Sequence, residues 1–492
     1  MGIIVRQSIS NTIISYIGIA LGFILTILLY PYILTPEEYG LTRVLISAAY
    51  ISSQFAHFGL HNVVIRYYPF FKNANPDHHG FLFWLMSIPV IGFILFAVVY
   101  LLAGDLIITI YADRSPLFVE YYLWVIPLTL FILYYDILNN YLRSLRDSTT
   151  GSIANEVIQR ILTIGLLGMY FFGWISIAQF LTLFVLSYIS QPLIIGYQIW
   201  KKREFKLIPD FNIIRSSLVK GMAKYSIYSM LGGFTTVIVW NVDVMMLGSM
   251  AGLDQTAVYA IAFYVASIIT IPQRSIEKIA GPMLAGFIKN KEWNEVGAIY
   301  KKTSLNQLIP GLLIFGLIWI NLEILFLIMP EFYAAGKWVV FIVGIGKLMV
   351  MVSGANGLIL INSKHYKISF YTNILLVTVT IVANYLLIPK YGIEGAALAT
   401  AFALFTHNAV KWFYLLIRQN LQPFSLVTLF VVALGSISIY ICYAVIDLGS
   451  VWLNAPVKSM IYLFIFMGPI VYLNTSPDLN NLIQTIYKKW KP

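Results

Sequence analysis

Apolar runs of roughly 20 residues recur from one end of the chain to the other, separated by short polar breaks. A helix of that length crosses a hydrocarbon core of about 30 Å, whereas barrel strands would alternate over about ten residues. The pattern predicts an all-α polytopic membrane protein of about fourteen spans, centred near Ala20, Tyr50, Gly92, Leu130, Ile164, Leu186, Val237, Ala266, Phe315, Met349, Val379, Phe402, Ala433 and Phe464. The opening MGIIVRQSIS has no short apolar core with a small-residue cleavage site, so it reads as the approach to span one rather than a removed signal. Composition agrees: with 59% hydrophobic and 11% charged residues, the 492-residue chain has too little polar surface to cover a soluble globule.

Charge then sets orientation. With the N-terminus taken as cytoplasmic, the inner loops and tail collect Arg6, Lys72, Arg143, Arg146, KKREFK (201–206), Arg215, Lys220, Lys289, Lys291, Lys301, Lys302, Lys364, Lys367, Arg418 and KKWK (488–491). The outer loops carry Arg114, Lys337, Lys390 and Lys458. This asymmetry predicts both termini inside. It assigns the net charge of +11 to topology and to anionic membrane lipids, with no nucleic-acid partner.

The chain also repeats itself at an offset of about 218 residues. ALGFILTILLYPYILTPEEYGL (20–41) lies over VIVWNVDVMMLGSMAGLDQTAVY (237–259), LNNYLRSLRDS (138–148) over GANGLILINSKHY (354–366), and FGWISIAQFLTLF (172–184) over YGIEGAALATAF (391–402). Six spans fill each repeat, and an even number makes the halves parallel, related by a pseudo-two-fold axis along the membrane normal. The expected organisation is a six-helix bundle over 1–200, a basic cytoplasmic linker over 201–222, a second six-helix bundle over 223–418, and two further helices with a basic tail over 419–492. A passage for alternating access is expected between the bundles. In LIPKYGIEGAALATAF (387–402), Pro389 should end span eleven and Gly392 take up the turn, with Gly395 and Ala399 forming a ridge for close helix packing.

A charge at mid-bilayer costs between about 3 and more than 10 kcal/mol, so each one needs a partner or a purpose. Span two turns polar in its inner half, SSQFAHFGLHNVVIRYY (52–68), with Gln54, His57, His61 and Arg66. Span eight does the same in TIPQRSIEKIAGP (270–282), where Gln273, Arg274, Glu277 and Lys278 follow Pro272. Polar or proline-interrupted segments at corresponding places in two repeats point to a transporter's substrate site; the competing reading is that both helices overshoot into the cytoplasm. Arg43 and Lys347 have no acidic residue three or four positions away on their own helices, so each faces another helix or a wet cavity. Asp243, at similar depth, is the alternative partner for Lys347, and snorkelling to the outer headgroups is the alternative for Arg43. Asp136 and Arg160 lie about equally far from the turn at 147–150, which predicts an internal ion pair between spans four and five. Lys411 and His407 share a face near the cytoplasmic end of span twelve and read as snorkelling. Substrate-binding candidates are thus Arg274, Lys347, Arg66, Lys278, His57 and Arg43; coupling or ion-pair candidates are Asp243, Asp136, Arg160 and Glu277. Metalloprotease, phosphate-loop and nucleophile-elbow motifs do not occur, and the lone Cys442 excludes multi-cysteine metal sites, so no catalytic residue, metal or cofactor is expected.

Three stretches together resemble the Wzx-like lipid-linked oligosaccharide flippases, or polysaccharide exporters, of the superfamily shared with MATE antiporters and the lipid II flippase. They are LIPKYGIEGAALATAF (387–402), Asp243 followed by VMMLGSMAGLDQTAVYAIAF, and LTPEEYGLTRVL (34–45); Ala257, Val258 and Tyr259 stand where the family usually has Gly-x-Tyr. The resemblance implies two six-helix bundles and transport of an undecaprenyl-diphosphate-linked oligosaccharide, such as an O-antigen repeat unit, across a bacterial cytoplasmic membrane. A polysaccharide polymerase machinery would then use the product. A diphosphate needs a cationic, wet passage, while its lipid tail can stay in the bilayer. Outward movement of each negative charge gains about 2.3 kcal/mol per 100 mV, alone or with H+ or Na+ antiport. The alternative within the superfamily is a cation-coupled antiporter of drugs or metabolites, which would want unpaired carboxylates instead. A membrane enzyme such as a glycan polymerase is disfavoured by the short outer loops and the duplication.

Overall fold

The computed structural model describes residues 3–72, 78–211, 217–445, 447, 449–481 and 484, and these contain helices and no strand. Arg215 and the basic tail at 488–491 lie outside the described residues. Among the described residues, ten helices are long and apolar enough to cross a membrane. The longest, Tyr366–Gln419, covers spans eleven and twelve at once. Spans two and seven are also helical, at Pro36–Ala56 and Ser217–Met250, and span five continues through the helix Gln159–Phe171.

The chain divides into two compact units, Met1–Ala257 and Val258–Pro492. The helix Ser217–Met250, first of the second repeat by sequence, packs within the first unit on Pro36–Ala56 and Leu60–Lys72. The start of span two is fixed locally. Thr35 Oγ1 accepts from the Glu38 N–H at 3.2 Å, and the Glu38 carboxylate accepts from the Thr35 N–H at 2.8 Å; Pro36 follows, where a missing N–H costs nothing. Packed aromatics hold one end of the unit: Tyr68, Phe71, Phe81 and Tyr141 meet Ile195 and Ile199. Spans one and five each contain a π-helical turn, Ile24–Leu29 and Ile153–Ile158.

In the second unit, the helix Trp293–Ile320 is the post on which the last two spans dock. Tyr462 donates to the Leu312 carbonyl at 2.8 Å, and Gly316 makes the fit possible, since a Cβ there would lie 2.3 Å from the tyrosine ring. Phe315, Met351 and Phe466 close this core. Lys458, expected in an outer loop, sits instead within the helix Val451–Tyr472 and is buried, in electrostatic reach of Cys442 and Asp447.

Two features recur at the repeat offset. Gly173 and Gly392 occupy corresponding corners, and both have left-handed backbones, with φ of 71° and 54°. Only a residue without a Cβ takes that conformation at little cost. The helix runs through Pro389, where the sequence predicts its end, and turns three residues later at Gly392. Gly395 is kept small by the corner itself, because a Cβ there would sit 2.3 Å from the Leu387 carbonyl oxygen. The second feature is a polar hub in each turn after spans four and ten. Asp147 accepts from Thr149, Thr150 and Gln198 Nε2 (3.1 Å), and it pairs with Lys202 at 3.5 Å. His365 bonds Tyr414 through Nδ1 at 2.6 Å and Gln419 through Nε2 at 2.8 Å. Each hub ties its turn to the last helix of its own repeat.

Candidate functional site

In the first unit the polar interior is organised by Arg43. Its guanidinium lies over the Tyr30 and Tyr39 rings, 5.0 and 5.1 Å from their centroids, and donates to the Tyr30 hydroxyl at 3.2 Å. The two rings are stacked 4.6 Å apart. Another donor, Nε, reaches Thr42 Oγ1 at 3.2 Å. The side chain therefore lies half-buried among aromatics, where cation–π attraction gains from desolvation. Tyr188 stands within electrostatic reach of Arg43, Arg160 and Tyr30, and Tyr50 within reach of Asp136 and Arg43. The expected ion pair between Asp136 and Arg160 does not form. Asp136 has no basic group within salt-bridge distance, and Arg160 Nη1 is buried with no hydrogen-bond partner among the described residues. Equal distance from the turn brings two side chains to one level but does not fix the direction in which each leaves its helix.

Span two is broken as well as polar. The helix ends at Ala56, Phe58 and Gly59 take left-handed backbones (φ 50° and 74°), and a new helix starts at Leu60. Gly59 lets span seven close in, since a Cβ there would lie 2.2 Å from the Ser226 carbonyl oxygen. Ser226 Oγ in turn donates to the Phe58 carbonyl. His57 is fully buried at this break; its Nδ1 accepts from the Gly59 N–H at 3.0 Å, and its ring lies 4.4 Å from that of His61. His57 Nε2 and His61 Nδ1 are buried without hydrogen-bond partners among the described residues. Arg66, further along, is exposed and lies 4.4 Å from the centroid of the Tyr225 ring.

In the second unit Lys347 is buried in the helix Lys337–Val352, its ammonium 4.8 Å from the centroid of the Phe263 ring. Asp243, buried on span seven, belongs to the first unit. On the helix Ile271–Asn290, Arg274 and Lys278 are exposed, while half-buried Glu277 accepts from Gln273 Nε2 at 2.7 Å. Glu277 is also within electrostatic reach of Lys411, a residue that the sequence reads as snorkelling rather than as a site residue. Lys411 is 6% exposed, and its ammonium lies beside Gly357, where a Cβ would stand 3.7 Å from Nζ. Among the described residues no acceptor hydrogen-bonds it. Its neighbours are polar: His407 Nε2 donates to Asn373 Oδ1 at 3.1 Å, and Asn356 Nδ2 donates to Asn408 Oδ1 at 3.2 Å. The apolar helix around His407, Asn408 and Lys411 carried the signal, three polar residues within five positions. The structure thus gathers Glu277 with Lys411, surrounds Arg43 with tyrosines, and leaves Arg66, Arg274 and Lys278 at exposed positions.

Comparison with known proteins follows the same lines. Residues 4–285 match the family described as polysaccharide biosynthesis protein. The chain is 23% identical over 212 residues to the probable low-salt glycan biosynthesis flippase Agl15 of Haloferax volcanii, a match covering 42% of this chain and 43% of that protein. The chain thus spans less than half the length of that curated relative. Among solved structures it is similar to the lipid II flippase MurJ in an inward closed conformation, with a TM-score of 0.72 at 14% identity, covering 96% of this chain and 99% of that one. It is also similar to an inward-facing MATE family multidrug transporter of the MOP superfamily, with a TM-score of 0.60 at 13% identity, covering 85% of this chain and 98% of that one.

Proposed function

We propose that this chain, which belongs to the polysaccharide biosynthesis protein family, is a flippase that moves an undecaprenyl-diphosphate-linked oligosaccharide across a bacterial cytoplasmic membrane by alternating access. The family match over residues 4–285 carries this reading, because it takes in span one, the broken span two and the polar start of span eight. The flippase name of the curated relative supports it. The chain is on this reading a transporter and no enzyme, with the repeats 1–200 and 223–418 as its moving halves and 419–492 as an addition.

The chemistry of the site fits an anionic cargo. A diphosphate cannot cross hydrocarbon undressed, and cations held inside helices are costly enough to require a use. Among the described residues no acceptor hydrogen-bonds the Lys411 ammonium, and Lys347 lies at a buried position on a neighbouring helix of the same unit. Exposed Arg66 in the first unit, and exposed Arg274 and Lys278 in the second, would each attract the diphosphate. Glu277 and Asp243 are the groups to exchange H+ or Na+, and the released product would feed a polysaccharide polymerase. Deleting the gene should leave the lipid-linked oligosaccharide trapped on the cytoplasmic leaflet. Normal surface glycan in the deletion strain contradicts the proposal.

A second reading, a MATE-like antiporter of cationic compounds, draws support from the solved MATE structure. It expects the deletion strain to change its resistance to cationic dyes with no trapped lipid.

A further inference from the structure

Away from its polar interior, the first unit carries a groove of about 500 Å³ lined almost wholly by apolar atoms. Met86 of span three, Phe131 and Tyr134 of span four, and Leu193, Gly196 and Trp200 of span six form its walls. Gly196 leaves the floor open, for a Cβ placed there meets no atom within 4 Å. Such a lining repels water and a glycan alike and suits hydrocarbon. At one end, Tyr197 and Trp200 are exposed with ring centroids 5.9 Å apart, the pairing expected at the level of lipid headgroups.

The chain turns sharply at that end. Arg203 takes a left-handed backbone, φ 60°, and its N–H bonds the Trp200 carbonyl at 2.8 Å. Phe205 then returns to the groove as a lining residue. Lys201, Lys202 and Arg203 therefore lie between two residues of the groove wall, at its mouth. Lys202 is engaged by Asp147 at 3.5 Å, whereas Lys201 and Arg203 are exposed. An apolar trough with two exposed cations at one end is complementary to an amphiphile with a negative headgroup.

We propose that this groove holds an anionic phospholipid of the cytoplasmic leaflet as a resident ligand, its acyl chain over Gly196 and its phosphate on Lys201 and Arg203. The site does not depend on what the protein transports. It is tested by native mass spectrometry of the full chain released from vesicles of mixed phosphatidylglycerol and phosphatidylcholine. Wild type should retain phosphatidylglycerol preferentially, and Lys201→Gln and Arg203→Gln should each weaken that preference about fivefold, the worth of one basic residue near a membrane surface. Gly196→Trp should abolish the adduct of either lipid. Open space accepts the ring, and any such residue improves on glycine in a helix interior. Should that variant fail to reach the membrane, Leu193→Trp fills the same groove from its exposed wall. Equal retention of both lipids by wild type, or an unchanged adduct in the filled groove, overturns the proposal. So does displacement of phosphatidylglycerol by a polyprenyl diphosphate that Gly196→Trp excludes, since the groove would then belong to the transported lipid.

Discussion

Each unit holds cations inside its helices, and Arg43 and Lys411 are treated differently. Arg43 of the first unit is faced by two stacked tyrosines and hydrogen-bonds one of them. Lys411 of the second is buried more deeply, yet no acceptor among the described residues meets its ammonium. A cation whose donors are occupied holds neighbouring helices together. One kept from water with no hydrogen-bond acceptor among the described residues can take an anion that arrives from outside, the nearby charge of Glu277 offsetting part of the cost of burying it until then. On the proposed reading, Arg43 belongs to the frame and Lys411 to the cargo.

Substitutions test that division. Lys411→Met should cut transport about 10- to 100-fold, the loss of one charge-assisted hydrogen bond of about 1.5–3 kcal/mol, with folding retained and with activity recovered in Lys411→Arg. Glycan export at the wild-type rate in Lys411→Met removes the distinction. Arg43→Met should do the reverse, lowering stability by about 2 kcal/mol through the lost cation–π contacts and two hydrogen bonds while transport per folded molecule stays close to wild type. A thermal melt of the purified protein beside a transport assay separates the two effects, and a transport loss as large as that of Lys411→Met would place Arg43 with the cargo too.

The two turn hubs differ in charge, and so in their response to acid. Burial raises the Asp147 carboxyl, but the bonds from Gln198 and Thr150 and the charge of Lys202 outweigh it and hold the group below the usual carboxylate range. Its contribution to stability is present above the unfolded value of about 3.9 and is lost as pH falls through the lower folded value. Asp147→Asn should therefore cost about 1–2 kcal/mol by the same amount at pH 7.5 and pH 5.5, read as a shift in denaturation midpoint. Burial, together with the charges of Lys364 and Arg418, lowers the His365 imidazole below its ordinary value. Its neutral ring contributes stability above the unfolded value of about 6.5, and this fades as pH falls through the folded one. Protonation also puts a hydrogen on Nε2, against the Gln419 amide nitrogen. Wild type should lose stability between pH 7 and pH 5, and His365→Gln should flatten that slope. An unchanged slope in the variant would show that other groups set the acid response.

Much of the architecture is legible in the sequence because lipid imposes a coarse rule, and apolar runs of spanning length announce most helices. The corner at Gly392 and its counterpart at Gly173 were readable for a similar reason, a backbone demand that few residues satisfy. The site was harder. The distance of Asp136 and Arg160 from their shared turn predicts depth but not the direction in which each side chain leaves its helix, and so the expected pair is absent. Lys411 looked ready to snorkel because the room for its ammonium comes from Gly357, on another stretch of chain. Tyr30 and Tyr188, which face Arg43, are indistinguishable in sequence from the many tyrosines that fill space.

The central claim is that the protein flips an anionic, lipid-linked glycan through a passage in which Lys411 meets the negative charge. The most direct measurement reconstitutes wild type and Lys411→Met in vesicles carrying an undecaprenyl-diphosphate oligosaccharide on one leaflet, and follows its appearance on the other with an impermeant glycosidase. The account predicts rapid transfer by wild type and a 10- to 100-fold slower rate in the variant. No transfer by wild type, or equal rates for the two proteins, contradicts it.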